Sequence, residues 1–485
     1  MKYLFGLDIG TTGCKAILFD ENGKIHGDHY IEYALHVISD KEIEQSPKDW
    51  WNHSVSCMKE CLKQAGIDPA DVAGVSVSSQ GISFVPMTED GTELGDAISW
   101  LDSRAEAETE EIMALKGADW MYQRTGKRTG AQYMLPKLMW VKKNLPDVYA
   151  KTYKFLMAHD YIIYKLCGAF VTDRTMAGAT MVYDLHTEEW SEEICDAFGI
   201  DCNKMPALAW AGELAGQLTE AAAAEIGLTT ACKVAVGAQD QKASAVGARL
   251  EPGVATLSLG TAGAMELSCD HPVFDDARMR IPCFSYTAPG TYTLETVIST
   301  CGAAQKWFKN TVLPYMSYRE MDEMIEKTPV GSSGVMFYPH LTGASTPIGR
   351  DEVRGAFSGL SLNAGVGDLA RSVQEGLAFQ LRHNVDVAEE MGTKVNEIHV
   401  FGGGSKSRIW CHIIAGCTGR KVVSYACPEI ALVGAAMLAA KACGMDTTDF
   451  AMCEMMPVRE FEATEEEKAL YNDIYAKYRA FEDRL

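Results

Sequence analysis

The chain opens on an apolar-rich run, Tyr3 to Asp8, that stops at Gly10-Thr11-Thr12-Gly13. A second run, Lys15 to Asp20, leads into Glu21-Asn22-Gly23-Lys24, and the Asn-Gly pair at its centre favours a tight hairpin. A third run spans Lys24 to Tyr33, so the pattern predicts an antiparallel meander. From Trp50 to Ala65 apolar positions recur at helical spacing, and Val72 to Ser79 reads as a buried strand ending at Gln80-Gly81. Phe84 to Thr88 and Ile98-Ser99-Trp100 follow as strands, then a largely helical stretch from Glu106 to Leu166. This alternation predicts an α/β fold. The tail from Glu462 reads as a charged amphipathic helix with a structural role.

Near residue 246 the pattern restarts. Ala255 to Leu259 is a strand, Gly260-Thr261-Ala262-Gly263 a turn, and Ala264 to Ser268 the next strand. Leu7 to Gly13 aligns without gaps on Leu257 to Gly263, an offset of 250 residues. Both are hydrophobic strand, Gly-Thr turn, strand. An offset of half the chain suggests two similar domains, residues 1–245 and 246–485, facing one cleft.

Composition narrows the partners. The 485 residues are 47% hydrophobic and 23% charged, which excludes disorder for the bulk of the chain. With 44 basic and 66 acidic residues the net charge is −22, so nucleic acid and anionic membranes are not expected partners. The fifteen cysteines form no CxxC pair and lie partly in apolar runs (Cys232, Cys301, Cys417, Cys443). They read as reduced thiols packed as small hydrophobes, in a reducing compartment. Met1-Lys2-Tyr3 leads straight into a strand and no run of about 18 apolar residues occurs, so a cytoplasmic protein without signal peptide or membrane span is expected.

The candidate chemistry sits in the turns. A glycine-rich turn after a strand brings backbone N–H groups close to phosphate oxygens, and Thr hydroxyls add donors. Gly10-Thr11-Thr12 and Gly260-Thr261 on facing domains could grip one polyphosphate from both sides. Asp8 is placed to hold Mg²⁺ through water, and Lys15 to reach a phosphate. Phe401-Gly402-Gly403-Gly404-Ser405, between a strand and a helix from about Ser407, suits a nucleotide or simply a tight corner. In Val236 to Ala243, Asp240 ends an apolar strand; it reads equally as a general base with a raised pKa or as an N-cap. No Walker A, GxGxxG, HExxH, zinc-spaced Cys/His set or GxSxG elbow is present.

Taken in order, Asp8-x-Gly10-Thr11-Thr12, Trp100-Leu101-Asp102-Ser103-Arg104, Pro136-Lys137-Leu138-x-Trp140, Gly237-Ala238-Gln239-Asp240-Gln241, Leu259-Gly260-Thr261 and Gly402-Gly403-Gly404 resemble the FGGY carbohydrate kinases, the xylulokinase branch most of all. The resemblance covers nearly the whole chain. It implies two ribonuclease H-like domains of the actin and hexokinase type, closing on ATP and a sugar. On that basis Asp240 is the catalytic aspartate, Asp8 and Asp240 lie at the Mg²⁺, and Gln80, Gly81, Asp102, Asp240 and Gln241 meet the sugar. Gly10, Thr11, Thr12, Lys15, Gly260, Thr261, Gly302, Gly403, Gly404 and Ser405 would hold the nucleotide. The implied reaction phosphorylates a small sugar, foremost D-xylulose to its 5-phosphate. Kinases of ribulose, gluconate, a tetrulose or a deoxysugar are the alternatives, then a sugar sensor without catalysis or an actin-like ATPase. Dimers are common in such kinases.

Three positions depart from that branch. Gln80 stands where a sugar-contacting histidine is usual, Gly343-Ala344-Ser345-Thr346-Pro347 lacks two charged side chains, and Gln374 replaces an apolar residue. Gly355 to Leu360 fits. An amide can both donate to and accept from hydroxyls, so a sugar remains the expected ligand.

Overall fold

The computed structural model describes residues 1–425, 427, 429–448, 450 and 458–485. In the first half, β1 (Tyr3–Ile9), β2 (Gly13–Asp20) and β3 (Ile25–Glu32) form the predicted antiparallel meander. β4 (Val72–Ser79) joins β1 in parallel. The sheet continues through β6 (Lys233–Ala235), parallel to β4, to β5 (Leu214–Gln217), antiparallel to β6. The short β7 (Ala238–Gln239) also pairs in parallel with β4.

The second half repeats this plan. β8 (Val254–Leu259), β9 (Gly263–Cys269) and β11 (Tyr292–Ile298) are its meander, with β10 (Cys283–Ser285) on the outer edge. β12 (Glu397–Phe401) joins β8 in parallel, β13 (Lys421–Tyr425) follows in parallel, and β14 (Val458–Phe461) closes antiparallel. The repeat visible over seven residues of sequence therefore extends through the strand order of both sheets, and the chain folds as two α/β domains.

Helices cover both sheets. α1 (Pro47–Ala65) starts at Ser46, whose side chain caps Asp49 N–H. Its Cys57 and Cys61 are buried against β2, where the Cys61 thiol donates to the Ala16 carbonyl at 3.3 Å. The described cysteines other than Cys427 are free thiols. The stretch expected to be helical from Glu106 to Leu166 is broken by a strand, Lys154–Met157, paired with Phe84–Met87. Its Phe155, Leu156 and Met157 are buried in a row, an apolar run that periodicity alone cannot separate from a helical one.

One contact joins the halves closely. α5 (Ile430–Cys443) belongs to the second half by sequence, yet packs on β1, β4 and α2 (Asp240–Gly247) of the first. A Cβ added to Gly434 would stand 1.8 Å from the Ala243 carbonyl, so the helices cross with backbones in contact. Leu4, Ile17 and Phe19 share a buried cluster with Leu432, Val433 and Ala436.

Candidate functional site

β1, β4 and β7 run in parallel and end together, Asp8 beside Ser78 and Ser79 beside Gln239. Asp8, Gln80 and Asp240 are thereby gathered at one sheet edge. Ser78 Oγ donates to Asp8 Oδ1 at 2.7 Å, and Gln80 N–H to the Ile9 carbonyl at 2.8 Å. The following turn holds Ile82 at φ 54°, a left-handed backbone that a β-branched residue rarely adopts. Nothing in the sequence signals that conformation.

Asp240 is the first residue of α2, but Gln239 caps the helix: its Oε1 accepts from Gln241 N–H at 3.1 Å and Lys242 N–H at 3.3 Å. The capping role weighed for Asp240 thus falls to its neighbour. Asp240 Oδ1 accepts from Gln241 N–H at 2.7 Å. Burial, then the charge of Asp8, push the Asp240 carboxyl up to about 7. Burial also raises Asp8, to about 6, against the opposing Ser78 hydrogen bond. Two part-buried carboxylates with open oxygens are donors suited to a hard cation. Among the described residues no group of three or more His, Cys, Asp or Glu could hold a metal.

The Gly10-Thr11-Thr12-Gly13 turn is braced by Gln45 and Trp100. Gly10 N–H donates to the Gly13 carbonyl at 2.9 Å. Trp100 Nε1 donates to Thr11 Oγ1 at 3.0 Å and Gln45 Nε2 to the Thr11 carbonyl at 2.8 Å, while Thr12 is exposed. Lys15, expected to reach a phosphate, has its Nζ 2.7 Å from Glu429 Oε1, at the start of α5. Glu429 belongs to no motif, and only the packing of the two halves brings it here.

A cavity of about 1100 Å³ opens in the second half, lined by Gly260, Thr261, Gly302, Gly403 and Gly404. Five of the residues expected at the nucleotide thus share one cavity, whose aromatic walls (Trp307, Tyr318, Trp410) suit a flat base. Gly302 heads α3 (Gly302–Val312) and donates its N–H to the Gly260 carbonyl at 2.9 Å. A Cβ there would lie 2.4 Å from that oxygen, so the turn needs glycine. Ser405 is buried and does not line the cavity: its hydroxyl donates to the Gly402 carbonyl at 2.8 Å and the Tyr425 carbonyl at 3.2 Å, closing the turn.

Of the residues expected at the sugar, Gln80 and Gly81 follow β4 and Asp240 and Gln241 follow β7, the strand paired with it, while Asp102 is held by a network of its own. It is fully buried; its Oδ2 accepts from Ile43 N–H at 2.7 Å and Arg104 Nε at 2.9 Å, and its Oδ1 from Arg104 N–H at 2.9 Å. It holds Arg104 over the Trp140 ring, 4.9 Å from the centroid. Lys137 is buried beside this clamp, donating to the Ser99 carbonyl at 2.7 Å, and burial pushes its amine down to about 7.

Sequence reasoning missed Lys242. Two residues past Asp240, its buried Nζ lies 2.7 Å from Glu266 on β9 and 2.6 Å from Glu295 on β11, an ion cluster bridging the two halves. A lysine between Gln241 and Ala243 on an otherwise small-residue helix was the available hint.

Comparison with known proteins agrees with this arrangement. Residues 3–247 match the profile of the FGGY carbohydrate kinase N-terminal domain and residues 255–443 that of the C-terminal domain. A xylulose kinase of Bacillus subtilis is 30% identical over 441 residues, 91% of this chain and 88% of that protein. Among solved structures, a xylulose kinase from Rhodospirillum rubrum superposes with a TM-score of 0.92 at 26% identity, over 100% of this chain and 99% of the other. A gluconate kinase from Lactobacillus acidophilus reaches 0.90 at 25% identity, over 100% and 98%. The chain belongs to the FGGY family of carbohydrate kinases.

Proposed function

We propose that this sugar kinase transfers the γ-phosphoryl group of ATP to a hydroxyl of a small neutral sugar, foremost D-xylulose at its 5-hydroxyl. The observation that carries this reading is the gathering of Asp8, Gln80 and Asp240 at one sheet edge, beside a Gly-Thr turn and matched by a second such turn in the cavity. Residues 1–245 carry the sugar site, the first phosphate turn and Asp240; residues 246–485 carry the nucleotide.

Asp240 accepts the proton of the attacking hydroxyl as its oxygen bonds to phosphorus and ADP leaves. A carboxyl near 7 is matched to that task, since it can take a proton and release it again at neutral pH. The N–H groups and hydroxyls of Gly10, Thr11, Thr12, Gly260 and Thr261 hold the phosphate oxygens in place. Asp8, with Asp240 beside it, would hold Mg²⁺, which when bound neutralises phosphate charge. Lys15 reaches a phosphate in this reading by exchanging Glu429 for it.

The test is ADP release with Mg·ATP across ketopentoses, polyols and aldonates, with Asp240→Asn as the blank. Saturable turnover on D-xylulose supports the reading. A preference for gluconate, the substrate named for one structural neighbour, moves the substrate and keeps the mechanism. Silence on every sugar rejects it.

A further inference from the structure

Gln80 and Gln45 form a relay whose direction is fixed at one end. Gln45 is 1% exposed and Gln80 2%, so neither amide can turn to water for partners. Gln45 Nε2 donates to the Thr11 carbonyl at 2.8 Å, and Gln80 Nε2 donates to Gln45 Oε1 at 2.7 Å. A backbone carbonyl only accepts, so Gln45 must turn its NH₂ toward Thr11 and its oxygen toward Gln80. Gln80 must then give its NH₂ to Gln45, and its own Oε1 points the other way. Reversing either amide would set two oxygens against each other in a buried place.

Gln80 Oε1 is the end of this relay, and it is buried without a hydrogen-bond partner. It follows β4 at the sheet edge, and Gly81 next to it packs against Gln239, the residue before Asp240. A buried acceptor left open beside the reacting groups is completed by a ligand that brings a donor. A sugar hydroxyl does so. A carboxylate does not, and it would meet in addition the charges of Asp8 and Asp240.

We propose that Gln45 is a positioning residue for the sugar site: by fixing the direction of the Gln80 amide it selects neutral ketoses and polyols over aldonates. The proposal rests on the sugar-kinase reading above and adds to it the class of substrate and the residue that enforces it. The same relay ends on Thr11, so the sugar's hydroxyl is tied through two amides to the backbone of a phosphate turn. With Gln45 shortened, the Gln80 amide is free to rotate and to offer its NH₂ to a carboxylate.

The experiment measures kcat and KM for D-xylulose and for D-gluconate with the full chain, as wild type, Gln45→Ala and Gln45→Glu. The wild type should favour the ketose in kcat/KM by about a hundredfold or more, since a carboxylate set against the open Gln80 acceptor brings it no donor and adds charge repulsion, where the ketose brings a hydroxyl. Gln45→Ala should cut that ratio at least about tenfold, mainly through KM. Gln45→Glu keeps an acceptor for Gln80 Nε2 and, once protonated, a donor for the Thr11 carbonyl, so it should recover most of the ratio as pH falls toward about 5, which a general loss of structure would not do. A wild-type preference for gluconate, or a ratio unchanged in Gln45→Ala, overturns the proposal while leaving the kinase intact. If Gln45→Ala does not fold, Gln80→Met answers instead: deleting the open acceptor must raise the ketose KM at least about tenfold, and an unchanged KM overturns the proposal. A wild type that phosphorylates neither class rejects the kinase reading itself, and this inference with it.

Discussion

Asp8, near the end of β1, and Asp240, just past β7, flank the end of β4, and after burial the charge of Asp8 is the largest influence holding the Asp240 carboxyl near 7. In the proposed reaction the pair makes a base suited to neutral pH from a side chain whose ordinary range lies far lower. The pH dependence follows with a definite sign. Asp240 acts when ionised, so kcat/KM should fall as pH drops below about 7 and level off above about 8. A flat profile between pH 5.5 and pH 8 would contradict the assignment. Asp240→Asn should lose on the order of 10³-fold in kcat, with sugar affinity retained in a binding assay.

The same shift predicts a stability effect of opposite sense. A carboxyl whose folded pKa lies above its unfolded value costs stability progressively as pH rises from the unfolded value to about 7, because over that window the unfolded chain releases the proton and the native state retains it; above about 7 the cost is full and constant. Asp240→Asn should therefore raise Tm at pH 8 more than at pH 5. Equal shifts at both pH values would show that Asp240 carries no such cost.

Lys242 predicts a different kind of loss. Removing it by Lys242→Met leaves Glu266 and Glu295 buried together without a cation, which typically costs about 3–5 kcal/mol. The two carboxyls can relieve this only by taking up a proton, so the destabilisation should grow with rising pH. Thermal unfolding across pH measures it. Adding Glu266→Gln to Lys242→Met should recover part of the loss.

Gly302 tests the nucleotide turn alone. Gly302→Ala sets a Cβ 2.4 Å from the Gly260 carbonyl, which must move and take the Gly260-Thr261 turn with it. KM for ATP should rise about tenfold or more with KM for the sugar within about twofold, because the proposed sugar residues are on the other domain and a displaced turn loses its near-attack geometry. Equal changes in both would mean that the turn is not a separate element.

Gly434→Ala probes the crossing of α5 and α2. Its Cβ would fall 1.8 Å from the Ala243 carbonyl, and such overpacking costs about 1–3 kcal/mol. Chemical denaturation should show that loss, and an unchanged midpoint would mean that the helices separate freely.

The local features of the site were legible in the sequence. Gly-Thr turns after strands, the Asn-Gly hairpin and the offset of the two halves depend on neighbouring residues, and each lies where the pattern put it. Asp240 was harder, because a base and an N-cap look alike in sequence; the geometry gives the cap to Gln239. Asp102, expected at the sugar, is buried and accepts from Ile43 N–H and Arg104 Nε, partners that no motif announces. The pairing of Lys15 with Glu429 was beyond reach, since its partners stand near opposite ends of the chain and meet only after the halves have packed. Lys242 is similar, for its partners lie on strands of the other sheet. The strand Lys154–Met157 was lost because its apolar run is too short to show a period.

The placement of α5 has a consequence for how the protein is made. Leu4, Ile17 and Phe19 are translated more than 400 residues before Leu432, Val433 and Ala436, the residues that cover them. While the ribosome works through the second half, the emerging first half carries an uncovered apolar face that its own sequence cannot bury. A nascent chain in that condition is a customer for chaperones and prone to self-association, and it remains so until residues 430–443 clear the exit tunnel.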